Sequence, residues 1–583
     1  MAISTLGVLA AFTVATATPA RAPAKSPVAD LVRGFQALRA GNFHESVRAL
    51  DGLPQRLPHN RDYALYLLGE SLFYDGTYDK AAKAFAELGK LGTSRFAGIA
   101  GWRVADCQWM QGAHGEAATS YRRLLSGKTA GADPVVARFR LAELAAETPT
   151  NRAEARRLYL QVHLEFPAHP LSAESLARAT ALGAPLAAAP APPLSPQERL
   201  RRADKLADGH DYKAALDELA QLPAELPADL AVERDYAVGL AKYKMRRDYP
   251  GAAALLQKVA TQLTGEKAAF AAFHGARALS RIDRNDEAIA GYRQVVERYP
   301  NSKWAAEAQF RSGWLEVNRG RFREAAPGLQ ATLARYPHSP FADDAAWYLA
   351  LSHHLLGEST QALAALDRYE RLSKSEDAGM RVRYWRARVL AQAGQVDESR
   401  RQLRECVRRS PFGYYGLLAA SRLREAGEEV TIDLAGNPGQ VELPAPSTAE
   451  VKAKAARDPV LERAHELLQA GLDVEAGEEL GRAEVSVLKH LGKGGPAFLL
   501  GEYPSMRAFH RALKLAEGQG ATALHSAPTG AARAFWQAAY PRAFRDWVEP
   551  SATAAGAPEL FVYAIMRKES SYMPQVVSSS DAR

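Results

Sequence analysis

The run Gly320-Arg321-Phe322-Arg323-Glu324-Ala325-Ala326 is followed by Tyr336-Pro337, and the same signs return one period later. Gly320, Gly357 and Gly394 are separated by steps of 37 residues, and Ala288, Ala325, Ala362 and Ser399 keep that step. Tyr299-Pro300 precedes Tyr336-Pro337 by the same interval. Each sign has a physical meaning. Glycine takes the left-handed backbone that closes one helix and opens a turn. A small residue lets two helices touch, and proline cannot continue the helix before it. Each unit therefore reads as helix A, a turn at the glycine (or at Asn285), helix B with its small residue at the contact, then a stop. Trp347 and Tyr384, one period apart, are large residues of helix A.

Paired helices at such a period are the grammar of tetratricopeptide-like arrays, in which each hairpin buries its apolar face only against its neighbours. An earlier array carries the same signature. Gly41-Asn42-Phe43, Gly76-Thr77-Tyr78 and Gly112-Ala113 mark its turns, Ser46, Ala81, Ala117 and Ala155 its small positions, and Phe166-Pro167 its end. The reading divides the chain into a first array at 25–183, an Ala/Pro-rich spacer at 184–198 and a second array at 199–428. A Pro/Gly linker at 429–449 and a further helical region at 450–545 follow, with a last segment at 546–583. As a whole, such an array offers an extended surface to a protein partner.

Composition narrows the classes. Of 583 residues, 47% are hydrophobic and 24% charged, as in an ordinary globular protein. Lys and Arg number 74 against 66 Asp and Glu, a net charge of +8 spread without a dense basic run. That suits either a solubilising surface or attraction to an anionic polymer, and no nucleic-acid motif accompanies it. Cys107 and Cys406 read as two buried thiols, and the 14 histidines are dispersed, so no metal and no cofactor is expected. Leu6 to Ala17 is an apolar, small-residue run with cleavage candidates at Ala15-Thr16-Ala17 and Ala20-Arg21-Ala22. Residues 1–24 are accordingly expected to be a signal peptide and the protein periplasmic. Twelve apolar residues are too few for a stable membrane span.

Near the end stands Phe561-Val562-Tyr563-Ala564-Ile565-Met566-Arg567-Lys568-Glu569-Ser570-Ser571-Tyr572-Met573-Pro574. Pro558 and Glu559 open a short helix, and Pro574 follows its end. Counting back from Glu569 by three, four, seven and eight gives Met566, Ile565, Val562 and Phe561, an apolar stripe. A glutamate there is expected to lose hydration, hold its proton more tightly and act as a general acid, whereas an ordinary glutamate at a helix end is simply solvated.

This run resembles the first catalytic motif of the soluble lytic transglycosylases, which cut peptidoglycan glycan strands with a lysozyme-like domain. The resemblance rests on Ala564-Ile565-Met566-Arg567-Lys568-Glu569-Ser570, with Tyr572 in the aromatic position, Pro574, and Ser578 nine residues after the glutamate. Tyr540-Pro541-Arg542-Ala543-Phe544 is similar to the Tyr-Pro stretch that leads into that domain. Pro411-Phe412-Gly413-Tyr414-Tyr415-Gly416-Leu417-Leu418-Ala419-Ala420 is similar to a segment where the family's helical ring meets its linker. Asp581 departs from the family's glycine, and a Gly-Leu-Met-Gln run is expected beyond Arg583. The reading therefore takes 546–583 as the first part of a catalytic domain and expects no turnover from these 583 residues alone.

The resemblance implies an all-α fold: a tetratricopeptide-like superhelix, a helical linker domain at 450–545 and the start of a lysozyme-like domain. It implies Glu569 as the single catalytic acid and base, Ser578 on the substrate side, and Ser570 and Tyr572 in support. Peptidoglycan glycan strands are the implied substrate, with no cofactor. The competing reading is an exported tetratricopeptide-repeat scaffold that binds periplasmic or cell-wall partners without catalysis. A nucleic-acid-binding repeat protein has only the net charge in its favour.

Overall fold

The structure, a computed structural model, describes residues 26–127, 133–183, 194–373, 378–431, 444–524 and 526–577. Within them every regular element is a helix. The signal-peptide stretch at 1–24, residues 184–193 of the spacer, residues 432–443 of the second linker, and Ser578 and Asp581 lie outside the described residues. Two compact units are present. One combines the described parts of Met1–Asn151 and Asp433–Ser578, and the other is drawn from Arg152–Ile432.

In the second unit the 37-residue step becomes helix pairs. Gly265–Ser280 is followed by Asn285–Arg298, Ala305–Asn318 by Phe322–Arg335, Ala342–Leu355 by Ser359–Leu372, and Ala378–Gln392 by Val396–Arg409. Gly320, Gly357 and Gly394 have φ of 71°, 79° and 78° and sit between the helices of their pairs. Beside Gly320, its N–H bonds the Val317 carbonyl at 2.9 Å and the Arg321 N–H bonds the Glu316 carbonyl at 2.9 Å, closing the helix end. In the earliest of these pairs the left-handed residue is Asp283 (φ 58°), whereas Asn285 begins helix B. An Asp tolerates that backbone better than most side chains, which explains why the turn survives without a glycine.

The small positions are where the helices meet. Ala288, Ala325 and Ala362 are fully buried and Ser399 nearly so. A Cβ built on Gly328 would lie 3.1 Å from the Gly313 Cα, so these two helices meet almost backbone to backbone. The helix that opens at Tyr414 runs to Glu425.

The first unit begins with pairs of the same kind, Pro27–Arg39 with Phe43–Leu50, Arg61–Tyr74 with Tyr78–Gly89, and Ala97–Met110 with His114–Leu125. Ser46, on the second helix, donates its hydroxyl to the Gly34 carbonyl at 2.7 Å. These hairpins share one apolar core with the helices beyond residue 448, running from Leu31 and Tyr63 to Leu461, Leu499 and Phe535. The polar seam between the two parts is densely paired. Arg463 binds both oxygens of Asp62 at 2.8 and 2.9 Å, donates to the His59 carbonyl at 2.6 Å and reaches Glu479. Asn60 donates to the Arg463 carbonyl and to Glu466, and Arg95 to Glu478 at 2.7 Å. Burial pushes the Asp62 carboxyl up, but the Arg463 guanidinium, Ser94 and the Tyr63 N–H outweigh it and hold it below its ordinary value.

Beneath that seam Glu475 is only 6% exposed. Burial raises its pKa to about 7, with Glu478 and Asp473 adding to the rise and Arg95 opposing it. Cys107 and Cys406 are buried free thiols.

Candidate active site

Two helices, Arg545–Ala555 and Glu559–Ser570, carry the end of the described chain. Gly556 (φ 62°) closes the first, and Pro558 caps the second with its φ already at −62°. The second helix has two candidate apolar faces. Tyr563, 5% exposed, with Val562 and Met566, faces the core of the first unit. Leu560, Phe561 and Ile565 face outward, 71%, 60% and 46% exposed.

Glu569 follows the outward face. It is exposed, and among the described residues no hydrogen bond or ion pair engages it. The desolvation expected from Phe561 and Ile565 is therefore absent, because those side chains are themselves in water, and Val562 and Met566 turn partly into the core. This corrects the expectation of a buried acid. The spacing that defines a stripe was right; the face that the fold covers is the neighbouring one.

The other expected residues are structural in this setting. Ser570 donates its hydroxyl to the Met566 carbonyl at 2.9 Å, tying the last turn to itself. Tyr572 is 2% exposed and belongs to the core, and burial pushes its hydroxyl pKa up. Ser571 and Tyr572 are consecutive left-handed residues, with φ of 50° and 63°. The Ser571 N–H bonds the Arg567 carbonyl and the Tyr572 N–H the Met566 carbonyl, so the helix ends before Pro574. Ser578 lies outside the described residues.

A groove of about 380 Å³ opens between the two helices and the turn after them. Phe544, Trp547, Val562, Met566, Tyr572 and Pro574 line it, with Ser551 and Ser570 among its few polar groups. Glu569 is not among the lining residues.

The residue that sequence reasoning passed over is Arg567. Its Nε donates to the Ala539 carbonyl at 3.0 Å and a terminal nitrogen to Glu517 at 2.7 Å. Its guanidinium lies 4.8 Å over the Tyr540 ring. The available signal was its position four residues after Tyr563, on the face that packs. Among the described residues no group of three or more His, Cys, Asp or Glu side chains is placed to hold a metal ion. No described helix is long and apolar enough to cross a membrane.

Family comparison agrees with the helix pairs. Residues 66–135, 310–377 and 364–414 match the family described as tetratricopeptide repeat, and residues 270–302 match a second tetratricopeptide-repeat model. These segments are tetratricopeptide repeats. No curated protein matches the chain. Among solved structures, the 70 kDa soluble lytic transglycosylase of Escherichia coli is similar at 16% identity and a TM-score of 0.49, over 95% of this chain and 78% of that one. The lytic transglycosylase Slt of Pseudomonas aeruginosa, as an inactive mutant, aligns at 16% identity with a TM-score of 0.46, over 96% and 79%. YrrB, a tetratricopeptide-repeat protein with an unusual peptide-binding site, aligns at 18% identity with a TM-score of 0.26, over 32% and 91%.

Proposed function

We propose that this protein is a peptidoglycan lytic transglycosylase in which Glu569 is the single acid and base. The observation that supports the reading most is the placement of the run Ala564–Ser570. It forms the last turns of a helix that projects an unpaired carboxylate to the surface at Glu569. An acid held in an ion pair would be unable to donate; this one is free to meet a substrate.

In the reaction proposed, Glu569 protonates the glycosidic oxygen between N-acetylmuramic acid and N-acetylglucosamine, and the leaving sugar departs with that proton. The carboxylate then removes the proton of the muramyl hydroxymethyl group, whose oxygen closes on the anomeric carbon to give a 1,6-anhydro end. No water enters, so the second carboxylate of ordinary glycosidases has no task. The acid step needs Glu569 out of bulk water, and a glycan laid over Phe561 and Ile565 supplies that cover. Ser578 is assigned to the substrate side by the motif, with Ser570 and Tyr572 supporting the helix end. The periplasm, where such a substrate lies, agrees with the apolar run Leu6–Ala17.

One observation favours a second reading. As described, Glu569 is a solvated surface carboxylate, and the repeats are modules that commonly bind partners, so a non-catalytic wall-binding scaffold fits them too. Incubation of the full-length protein with purified sacculi separates the two. Release of soluble muropeptides supports the enzyme; binding without release supports the scaffold.

A further inference from the structure

The helix that carries Glu569 meets its support through two very different kinds of contact. Toward the core it offers Val562, Tyr563 and Met566, apolar groups that resist separation but do not fix rotation or sliding. On the polar side three partners converge on one residue. Arg567 donates Nε to the Ala539 carbonyl at 3.0 Å, pairs with Glu517 at 2.7 Å and stacks 4.8 Å above Tyr540. The partners come from the helix Phe509–Gln519, the end of the helix Ala532–Ala539 and the residue after it. A planar guanidinium bound on an edge and a face at once is held in orientation as well as position.

The chain beyond is also constrained. Two consecutive non-glycine residues, Ser571 and Tyr572, hold left-handed backbone, which costs each of them free energy and persists only where surroundings enforce it. Tyr572, buried in the core, is the surrounding contact that enforces it. Glu569 thus stands between two fixed points, Arg567 two residues before it and the Ser571–Tyr572 turn two residues after.

We propose that Arg567 is a positioning residue that sets the orientation of Glu569 toward its substrate. It touches no reacting atom itself. The inference rests on the function proposed above, and its test is built to separate the two. Arg567→Ala removes all three contacts, while Arg567→Lys keeps the charge opposite Glu517 but not the planar fork.

Full-length parent and both variants are compared by hydrogen exchange of the 559–570 segment and by kinetics on purified sacculi. The expected result for Arg567→Ala is exchange at least ~10-fold faster in that segment and kcat at least ~10-fold lower, with KM within about twofold. Arg567→Lys should fall between. In a Glu569→Gln background, Arg567→Ala should cost nothing more, since it acts only through that carboxylate. Unchanged exchange overturns the clamp whatever the activity. Faster exchange with kcat undiminished, or the same loss persisting in the Glu569→Gln background, overturns the role in positioning. A parent inert on sacculi overturns the catalytic reading, and the positioning role with it, while the exchange data still decide the clamp.

Discussion

At the scale of the residue, backbone handedness decides how well the repeat signs can be read. Gly357 holds φ of 79° between helices A and B, and Asp283 holds φ of 58° at the corresponding place two units earlier. The two positions should respond in opposite directions. Gly357→Ala puts a Cβ on left-handed backbone and is expected to lower stability by about 1 kcal/mol. Asp283→Gly relieves that penalty and is expected to be neutral or to raise stability by up to about 1 kcal/mol. Urea unfolding of the two variants beside the parent measures both. A Gly357→Ala variant as stable as the parent, or an Asp283→Gly variant clearly less stable, would show that the turns do not depend on handedness as described. The glycines were legible because few other residues accept this conformation. Asp283 was not, since an aspartate is common in loops of every kind, and the neighbouring Asn285 offered an equally good turn signal.

At the scale of the element, the small positions were legible and the packed face of the last helix was not. Ala325 is fully buried between Ala305–Asn318 and Phe322–Arg335. Ala325→Leu should force these helices apart and cost about 1–3 kcal/mol, seen as a lower melting temperature without loss of helical circular dichroism at 20 °C or so. A melting temperature equal to the parent's would mean that the contact has room to spare. The helix Glu559–Ser570 shows why periodicity has a limit. Phe561 and Ile565 form one stripe and Val562, Tyr563 and Met566 another, turned by about a quarter of the circumference. Sequence spacing weighs the two equally. What selects the second is the apolar core it joins, with Phe544 lining one groove with Val562 and Met566, together with Arg567 on Tyr540. Those are tertiary facts, and no local pattern around Glu569 contains them.

At the scale of the whole molecule, the pairing of residues near 60 with residues near 463 lies about 400 positions away in the chain and could not be read from it. The seam also gives the first unit a pH dependence. Glu475, with a pKa raised to about 7 by burial, binds its proton more tightly folded than unfolded. Its favourable contribution is therefore present at acid pH and is lost as pH rises from about 4.5 through 7. Ionising a carboxyl displaced that far costs on the order of 3 kcal/mol. Asp62, held low by Arg463, works the other way and loses its contribution only as pH falls below the ordinary carboxylate range. Stability of the parent should thus decline between pH 5 and about 8, and Glu475→Gln should flatten that decline. A variant curve parallel to the parent's would remove Glu475 as its source.

The central claim concerns chemistry at Glu569, and the masses of the products test it most directly. Sacculi are digested with the full-length protein and with Glu569→Gln, and the soluble muropeptides are separated and weighed. The account predicts 1,6-anhydro ends, one water lighter than hydrolytic ends, from the parent, and at least ~100-fold less product from the variant. Reducing ends from the parent, or anhydro ends released by Glu569→Gln at the parent's rate, would contradict it.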